Sequence, residues 1–296
     1  MASNSDKPLL VIVGPTASGK SDLAMKVATK YDGEIICADS RTIYRGMDIG
    51  TAKPSAEEQK QVPHHLLDVV SPGDRFTVYD FQQLAFRAIE GIRSRNKLPV
   101  MVGGTGLYID SVIFNYQFPK QIPLKTRLRY EEMSTEELYK YCIKNNIKLP
   151  KNYKNKRHLI NSIVRKNDNN SINNRIIDNI IIVGITTSKE ELKQKIIQRA
   201  EHMFDQGVVD EAKKLGEIYG WNNEAMTGNI YPLIKKYIDG NLSYEEVIDK
   251  FTTLDWQLAK RQITWLKRNS HIQWMTKDLV FSYISDRLDN WQARTN

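Results

Sequence analysis

Residues 14–21 read GPTASGKS and match the pattern G-x-x-x-x-G-K-[ST]. Glycines in this pattern let backbone N–H groups turn inward around phosphate oxygens, and the lysine adds a point charge. The loop is therefore predicted to bind phosphate through all eight of its residues, with the Ser21 hydroxyl on Mg²⁺: Gly14, Pro15, Thr16, Ala17, Ser18, Gly19, Lys20 and Ser21. The pattern alone does not distinguish a nucleoside triphosphate from another diphosphate.

An acidic residue, Asp39, closes a second apolar run in the stretch IICADS. The carboxyl ends of the strands in an open parallel sheet line the ligand crevice. This rule would place Asp39 beside the loop at residues 14–21 and beside GGTGLY at residues 103–108. Asp39 could orient Mg²⁺, act as a general base or cap the following turn. Three strand ends are thus predicted to form one site.

The elements that must position these residues follow from the alternation of apolar and amphipathic segments. Apolar runs at residues 9–13, 34–37, 65–70, 98–102 and 181–185 are separated by helical patterns. The chain is therefore predicted to be α/β, with a P-loop NTPase-like parallel sheet, flanking helices and an inserted small helical domain. Capping boxes predict helix starts at Ser134/Glu137, Ser188/Glu191 and Ser243/Glu246.

The positive charge is concentrated in one segment of the chain. Residues 118–180 hold 14 Lys+Arg and 6 Asp+Glu, an excess equal to the whole net charge of +8. This segment predicts an inserted basic helical domain within a core of residues 1–117 and 181–296, ending in a flexible Asn-rich loop at residues 166–175. A polyanionic partner fits the charge. A solvated Lys/Asn-rich surface would give the same composition.

Other features bound the class of protein. No apolar run reaches the ~18 residues of a membrane span and no signal segment is evident, so a cytoplasmic protein with no membrane contact is expected. The cysteines, Cys37 and Cys142, are far apart and predict reduced thiols. The His64–His65 pair lacks the further ligands of a zinc site. The tryptophans Trp221, Trp256, Trp265 and Trp274 are interpreted as core residues rather than base-stacking platforms.

Several stretches together resemble the bacterial tRNA dimethylallyltransferases nearly end to end. They read GPTASGKS (14–21), ADSRTIYRGMDIGTAKP (38–54), PHHLLDV (63–69), DF (80–81), VGGTGLYID (102–110) and AKRQITWLKR (259–268). A generic P-loop kinase would share the first motif, but neither the second block nor the C-terminal AKRQ-W helix. The basic insertion falls where that family carries a helical tRNA-gripping domain.

The resemblance implies transfer of a dimethylallyl group from dimethylallyl diphosphate to N6 of adenosine 37, beside the anticodon of tRNAs that read codons beginning with U. The phosphate loop would then hold the leaving diphosphate, with Mg²⁺ as cofactor on Ser21. The match implies that Asp39 is the base and that Thr105 lines the channel where amine and allyl carbon meet. Without the match, Thr105 would be interpreted as a helix cap in a glycine turn.

The resemblance also implies contacts with the anticodon stem-loop of tRNA. The implied tRNA-binding residues are Asp39, Ser40, Arg41 and Thr42 beside the target base, Arg127, Arg157 and His158 in the insertion, and Lys260 and Arg261 in the AKRQ helix. Lys260 with Lys267, and Arg261 with Arg268, are spaced i, i+7 and would share a helix face. Arg41 could instead be a solvated turn residue, and the helix charges a solvated face.

This sequence departs from the family pattern at four positions. Asn161 and Trp256 replace usual arginines, Val164 replaces a glutamate and Ile230 replaces a glycine. These positions are expected to contact tRNA and not to take part in the reaction. The substitutions are therefore expected to change tRNA affinity and the choice of tRNA, but not the chemistry.

Three rival functions share parts of the pattern: an adenylate isopentenyltransferase, a small-molecule kinase and a non-catalytic nucleic-acid-binding P-loop protein. The basic insertion argues against the first rival, because AMP needs no such surface. A monomer is expected.

Overall fold

The computed structural model describes residues 7–118, 124–164 and 175–295. The chain forms two compact units, one of residues 1–113 with 177–296 and one of residues 114–176. The sequence prediction set the inserted unit at residues 118–180. At the boundary between the units, the Ile177 N–H donates to the Ile113 carbonyl at 2.8 Å, and both residues belong to the first unit. The Asn-rich loop predicted at residues 166–175 lies outside the described residues, apart from Arg175.

The first unit is built on a parallel sheet with the strand order β3-β2-β4-β1-β5-β6. The strands are β1 (Leu9–Val13), β2 (Gly33–Ala38), β3 (His64–His65), β4 (Leu98–Gly103), β5 (Ile180–Thr186) and β6 (Gln273–Thr276). Every residue of β1, β2 and β4 is buried, as expected for parallel strands that are covered on both faces. The predicted α/β class is confirmed.

Helices cover the sheet and extend the first unit. They are α1 (Lys20–Lys30), α2 (Ala56–Gln61), α3 (Val78–Ser94), α4 (Gly106–Ile113), α8 (Lys189–Asp205), α9 (Val208–Tyr219), α10 (Tyr231–Ile238), α11 (Tyr244–Leu266) and α12 (Lys277–Thr295). A 3₁₀ turn spans Ala225–Thr227. The second unit contains α5 (Leu124–Glu132), α6 (Thr135–Lys144) and α7 (Lys156–Val164). No helix within the described ranges is long and apolar enough to cross a bilayer.

The strand predictions hold for four of the five apolar runs. The run at residues 65–70 is the exception, because its strand ends at His65. Leu66 and Asp68 have positive φ angles of 65° and 53°, so the chain turns instead of continuing the sheet. Only an isolated bridge between Tyr44 and Val70 follows. Strand β6, with the sequence QWMT, was not predicted because four residues carry no clear apolar alternation.

The helix starts agree with the predicted capping boxes in two cases of three. Reciprocal boxes form at Ser134 with Glu137 and at Ser243 with Glu246. At α8 the Ser188 hydroxyl accepts the Glu191 N–H at 3.1 Å, but no return bond forms. The Glu191 carboxylate instead pairs with the Lys195 ammonium at 2.5 Å. The bond from the Ser188 N–H to Glu191, which would complete the capping box, is therefore replaced by an ion pair.

Two apolar clusters form the core of the first unit. One joins strand residues such as Leu10, Val100 and Ile185 to helices α1 and α12. The other lies among α8 to α11 and includes Ile43 and Met47, which belong to the loop that follows β2. Because this loop is anchored in a core cluster, the residues after Asp39 have a defined position.

Candidate active site

The phosphate loop connects β1 to α1, and its second glycine takes a backbone conformation that favours glycine. Gly19 lies in the left-handed region with φ 78°, directly before the first residue of α1. The Lys20 ammonium crosses the loop and donates to the Pro15 carbonyl at 3.1 Å. Ser18 is 1% exposed, and its hydroxyl has no hydrogen-bond partner among the described residues. The loop therefore places the Lys20 ammonium at the N-terminus of a helix, where an anion is stabilised.

Lys20 is half-buried, and the partial removal of its ammonium from solvent lowers the pKa from 10.5 to about 8. The charge of Asp39 opposes this shift and raises the pKa, Arg199 lowers it further and Asp255 raises it. A diphosphate bound beside this ammonium would stabilise its charged form.

Asp39 follows β2 directly, and the next turn fixes one of its oxygens. Asp39 Oδ1 accepts the Arg41 N–H at 2.8 Å, so the carboxylate does cap this turn. Thr105 Oγ1 accepts the N–H of Ser40 at 3.1 Å. The side-chain helix cap considered for Thr105 is therefore not its observed bond. Two of the three strand ends that were predicted to form one site, those of β2 and β4, therefore meet beside Asp39.

The close approach of β2 and β4 explains one glycine of the GGTGLY turn. A Cβ atom at Gly103 would lie 2.1 Å from the Ala38 carbonyl oxygen, so only glycine fits. The Thr105 N–H donates to the same carbonyl at 3.3 Å.

A cleft of about 870 Å³ joins these features in the first unit. Its lining includes Lys20, Ser21, Asp39, Thr105 and Arg199. Helix α11 closes part of the cleft through Asp255 and Gln262, and the loop after β2 contributes Ser40 through Thr42. Five of the eight residues of the predicted phosphate loop therefore share one cavity of ligand size with the predicted base, namely Thr16, Ala17, Gly19, Lys20 and Ser21. Gly14, Pro15 and Ser18 do not line it.

Arg41 and Thr42 differ in how they face this cleft. The Arg41 guanidinium donates to the Glu224 carbonyl at 2.9 Å, to the Ala225 carbonyl at 3.3 Å and to the Thr227 hydroxyl at 3.3 Å. It is therefore held by protein acceptors and is not a solvated turn residue. Thr42 is 7% exposed, and its hydroxyl lacks a partner within the described ranges. A buried unpaired hydroxyl in a cleft is a candidate ligand contact.

Arg199 of α8 is a cleft residue that sequence reasoning missed. One of its Nη atoms donates to the Thr16 hydroxyl in the phosphate loop, and the other donates to the Thr51 carbonyl at 3.2 Å. Its guanidinium lies 3.8 Å from the buried Asp255 carboxylate. Asn229 donates to the other oxygen of Asp255 at 2.6 Å. No local motif marks Arg199, since its partners are distant in sequence.

Gln262, the last residue of the AKRQ motif, ties two site loops together. Its Oε1 accepts the Thr16 N–H at 2.8 Å. A Cβ at Gly104 would lie 2.4 Å from its Nε2, so the GGT turn packs directly against the same amide. Three residues later in the motif, the Trp265 indole donates to Asp110 Oδ2 at 2.6 Å and fills the space beside Gly106. The AKRQ-W segment therefore contacts both the phosphate loop and the GGTGLY turn and holds them next to each other.

Glu211 of α9 organises the GMDIGTAKP block. Its carboxylate accepts the N–H groups of Asp48, Ile49 and Gly50 at 2.8, 2.7 and 2.9 Å, and the Tyr231 hydroxyl donates to it at 2.8 Å. A Cβ at Gly50 would lie 2.6 Å from the Tyr231 ring. The departure at Ile230 lies beside this network, and Ile230 is 1% exposed.

The exposed face of α11 carries the predicted basic residues Lys260 and Arg261. Together with Gln257, Thr264, Trp265 and Arg268 they line a shallow groove of about 650 Å³. The i, i+7 argument does not extend over the whole motif, because α11 ends at Leu266, and Lys267 and Arg268 lie beyond that end. The Arg268 guanidinium instead lies 5.3 Å from the centre of the Trp265 ring.

In the second unit the predicted tRNA-binding residues lie on helices α5 and α7. Arg127 forms an i, i+4 ion pair with Glu131 at 2.9 Å, and Arg157 and His158 are exposed at the start of α7. Of the departures, Asn161 is half-buried on α7 and Val164 packs against the apolar cluster of this unit. Val164 therefore has a packing role.

The parallel sheet, the G-x-x-x-x-G-K-S loop and the acidic strand end define a P-loop α/β protein. The model of the IPP transferase family matches residues 42–269. The chain belongs to this family.

Named relatives agree with this assignment. The chain is 38% identical to the tRNA dimethylallyltransferase of Acetivibrio thermocellus, over 91% of this chain and 92% of that protein. It is 36% identical to that of Anoxybacillus flavithermus, over 92% of each chain.

Solved structures show the same fold. The tRNA isopentenylpyrophosphate transferase of Bacillus halodurans superposes with a TM-score of 0.73 at 32% identity, covering 97% of this chain and 98% of that one. A eukaryotic dimethylallyltransferase acting on tRNA superposes with a TM-score of 0.75 at 23% identity, covering 92% and 74%. At that identity the second match supports the fold alone.

Proposed function

We propose that this protein transfers a dimethylallyl group from dimethylallyl diphosphate to N6 of adenosine 37 in tRNA and releases diphosphate. The observation that carries the proposal is that Lys20 and Asp39 line one cleft, close enough for the Asp39 charge to raise the pKa of Lys20. A cation for the leaving group and a carboxylate for the nucleophile are therefore present together. Membership of the IPP transferase family and the names of the relatives support the same reaction.

The phosphate loop is proposed to stabilise the leaving diphosphate. As the allylic C–O bond breaks, its electron pair passes to the diphosphate oxygen, and negative charge grows there. The Lys20 ammonium, the loop N–H groups and the N-terminus of α1 stabilise that charge. Arg199 donates to the loop residue Thr16 and adds a second cation to this part of the cleft.

Asp39 is proposed to activate the nucleophile, the N6 amine of adenine. The adenine N6 lone pair is delocalised into the ring, so the amine attacks well only as it loses a proton. In the step proposed, the N6 lone pair forms the new N–C bond to C1 of the allyl group, and Asp39 takes one N6 proton. The bond from the Arg41 N–H orients Oδ1, which leaves Oδ2 for the substrate. Thr105 holds the adjacent Ser40 backbone.

Magnesium is proposed as the cofactor, held by the Ser21 hydroxyl and the oxygens of the diphosphate. Ser21 is exposed in the first turn of α1 and lines the cleft, and Mg²⁺ prefers oxygen ligands that include substrate phosphates. Within the described ranges no three His, Cys, Asp or Glu side chains form a metal cluster, so an ion held largely by the substrate fits this donor set better than one caged by protein. When bound, the ion supplies additional charge stabilisation for the diphosphate.

The tRNA partner is proposed to present its anticodon stem-loop, because N6 of a stacked, paired adenine is inaccessible, whereas an unpaired loop base can be flipped out. Ser40 and Thr42 line the cleft beside Asp39 and are proposed to contact that base. Arg127, Arg157 and His158 of the second unit, and Lys260 and Arg261 of α11, are proposed to contact backbone phosphates.

The test is the mass of the product. Purified protein, Mg²⁺ and dimethylallyl diphosphate are incubated with unmodified tRNA in one reaction and with AMP in another. A dimethylallyl group gained by the fragment that contains adenosine 37 supports the proposal. Gain on AMP alone would indicate an adenylate isopentenyltransferase. ATP turnover without prenyl transfer would indicate a kinase, and tRNA binding without any product would indicate a binding protein.

A matched pair of variants tests the role of Asp39 in the same assay. Asp39→Asn is expected to lower turnover by ~10²–10⁴-fold with tRNA binding retained. Asp32→Asn is the control, because Asp32 precedes the same strand and its carboxylate pairs with Lys97 at 3.3 Å. Full turnover in Asp39→Asn would show that another group is the base.

A further inference from the structure

Three lysines surround the ring of Trp256 on the surface of the first unit. The ammonium groups of Lys189, Lys193 and Lys260 lie 6.0, 5.7 and 5.7 Å from the ring centre. We call these three residues the lysine cluster. Lys189 and Lys193 are on α8, whereas Trp256 and Lys260 are on α11. The aromatic ring therefore gathers cations from two helices to one place.

The framework of the cluster is fixed by packing. Lys189 and Lys193 are spaced i, i+4, as are Trp256 and Lys260, so each pair shares one helix face. Trp256 is half-buried against the apolar cluster formed by α8 to α11. Trp256 packs against the core, as expected, but its ring is also in contact with three charged groups.

The charges of the cluster are unbalanced. Among the described residues, none of its ammonium groups has a carboxylate oxygen within 4 Å. A comparable site shows the contrast, because Lys235 lies 5.5 Å from the Trp221 ring and its ammonium also contacts both carboxylate oxygens of Asp239, at 2.5 and 2.7 Å. Like charges at i, i+4 on α8 repel each other, so an anion placed among the three lysines would be stabilised.

We infer that the lysine cluster binds a backbone phosphate of the tRNA substrate, with Trp256 as the positioning residue that holds the three ammonium groups together. The inference rests on the proposed function for the identity of the polyanion. Lys260 belongs both to the cluster and to the groove that Arg261 and Arg268 line, so the positive surface continues from the cluster into this groove. A chain of phosphates complements such a surface, and contacts of this kind position an RNA without reading its sequence.

The experiment measures tRNA affinity as a function of salt between 50 and 200 mM KCl for the full-length protein. Loss of one phosphate contact lowers the slope of log K against log salt by about 1 and the affinity ratio across this range by about 3–4-fold. Lys189→Met, Lys193→Met and Trp256→Leu are each expected to weaken tRNA binding at low salt and to flatten this slope. The KM for dimethylallyl diphosphate is expected to be unchanged.

Control variants are taken from the matched site at Trp221. Lys235→Met and Trp221→Leu change a lysine that is already paired with Asp239 and the tryptophan ring beside that lysine. The salt slope should therefore stay at the wild-type value. If Trp256→Leu unfolds the protein, Trp256→Phe with the two α8 variants decides the question, because a smaller ring still gathers cations.

Unchanged slopes in both α8 lysine variants would overturn the inference, as would weaker binding without a change of slope, which would indicate a contact other than phosphate. The readout is independent of catalysis. A flattened slope in a protein that transfers no prenyl group would leave the phosphate site standing and refute the proposed reaction alone. Normal prenyl transfer with unaltered slopes would refute the phosphate site alone.

Discussion

The Thr105 hydroxyl accepts the backbone N–H of Ser40 at 3.1 Å, so the turn after β4 holds the residue that follows Asp39. The adjoining peptide of β2 is fixed in the same way, because the Thr105 N–H donates to the Ala38 carbonyl at 3.3 Å. Asp39 therefore lies between two backbone groups that are both tied to Thr105. The backbone on both sides of Asp39 is thus held by a residue 66 positions later in the chain.

This relationship predicts different effects for two substitutions of Thr105. Thr105→Val removes the acceptor of the Ser40 N–H, and we expect kcat to fall by about 10–10²-fold, since misplacement of a catalytic group by about 1 Å can cost that much. Thr105→Ser keeps the hydroxyl and should retain most activity. The measurement is steady-state kinetics with tRNA and dimethylallyl diphosphate, with thermal unfolding as the control. Equal activity of both variants would show that the hydroxyl is dispensable.

The shifted pKa of Lys20 predicts a basic limb in the pH profile. Burial lowers this pKa to about 8, and the lysine binds diphosphate only as a cation. Because a base loses its charge as pH rises through its pKa, kcat/KM for the donor should be level below pH 8 and fall about tenfold per unit well above it. Phosphate groups of the donor titrate near 6 and do not contribute to that limb.

The check is kcat/KM measured between pH 6.5 and 9.5 under single-turnover conditions, with protein stability recorded over the same range. Diphosphate binding at pH 9 should also be accompanied by proton uptake, detectable by calorimetry in buffers of different ionisation enthalpy. A profile that stays level to pH 9.5 would exclude Lys20 as the titrating group.

The sequence anticipated the parts of the site that are local. The loop at residues 14–21 and Asp39 each sit at the end of an apolar run, and periodicity with a motif is enough to place them. Arg199, Asp255 and Glu211 could not be anticipated in this way. Each is a single charged residue on a helix, and each acquires its role only when tertiary packing brings it to a loop far away in sequence.

The errors in the fold have the same origin. The run at residues 65–70 has strand-like composition, but two residues with positive φ end the strand after His65. Strand β6 forms because Val183 through Thr186 offer an open edge to Gln273–Thr276, and that pairing is invisible to a four-residue pattern. Local propensity therefore gave way to tertiary context at both edges of the sheet.

Arg199 predicts a separation of binding from turnover. Its guanidinium bridges the Thr16 hydroxyl and the Thr51 carbonyl, and a single ammonium cannot reproduce that planar fork. Arg199→Lys should therefore raise the KM for dimethylallyl diphosphate about tenfold or more while kcat changes less. Arg45→Lys is the control, since Arg45 also donates to a carbonyl, that of Val69 at 3.1 Å, but it does not line the cleft. A KM that stays at the wild-type value would remove Arg199 from the donor site.

The hydrogen bonds of Glu211 to the loop after β2 are expected to stabilise that loop. Glu211→Gln replaces an acceptor of three backbone N–H groups by a side chain with only one acceptor oxygen, so the network at Asp48, Ile49 and Gly50 should loosen. We expect a loss of about 1–3 kcal/mol in the free energy of unfolding. Glu217→Gln, an exposed change on the same helix, should be neutral. Hydrogen exchange of the three amides distinguishes local loosening from global instability, and unchanged protection would contradict the assignment.

Glu34 predicts how the protein responds to acid. This glutamate is 3% exposed in β2 and accepts hydrogen bonds from Arg95 at 3.1 and 2.7 Å and from His65 at 2.7 Å. Burial raises its pKa, but the hydrogen bonds from Arg95 and His65 outweigh burial and lower it from 4.5 to about 2. A folded-state pKa below the unfolded value stabilises the protein above pH 4.5, and that stability disappears as pH falls from 4.5 towards 2.

The corresponding measurement is urea unfolding at pH 7, 5, 4 and 3 for the wild type and Glu34→Gln. Because Arg95 is half exposed and screened by solvent, the contribution of the ionised glutamate is expected to be about 1–3 kcal/mol at pH 7. Glu34→Gln should lose this amount at neutral pH and show a weaker decline below pH 4.5, because no carboxylate remains at position 34 to be protonated. Glu90→Gln, at an exposed position of α3, should follow the wild-type curve. Parallel acid declines in the wild type and Glu34→Gln would show that other carboxylates control the acid limb.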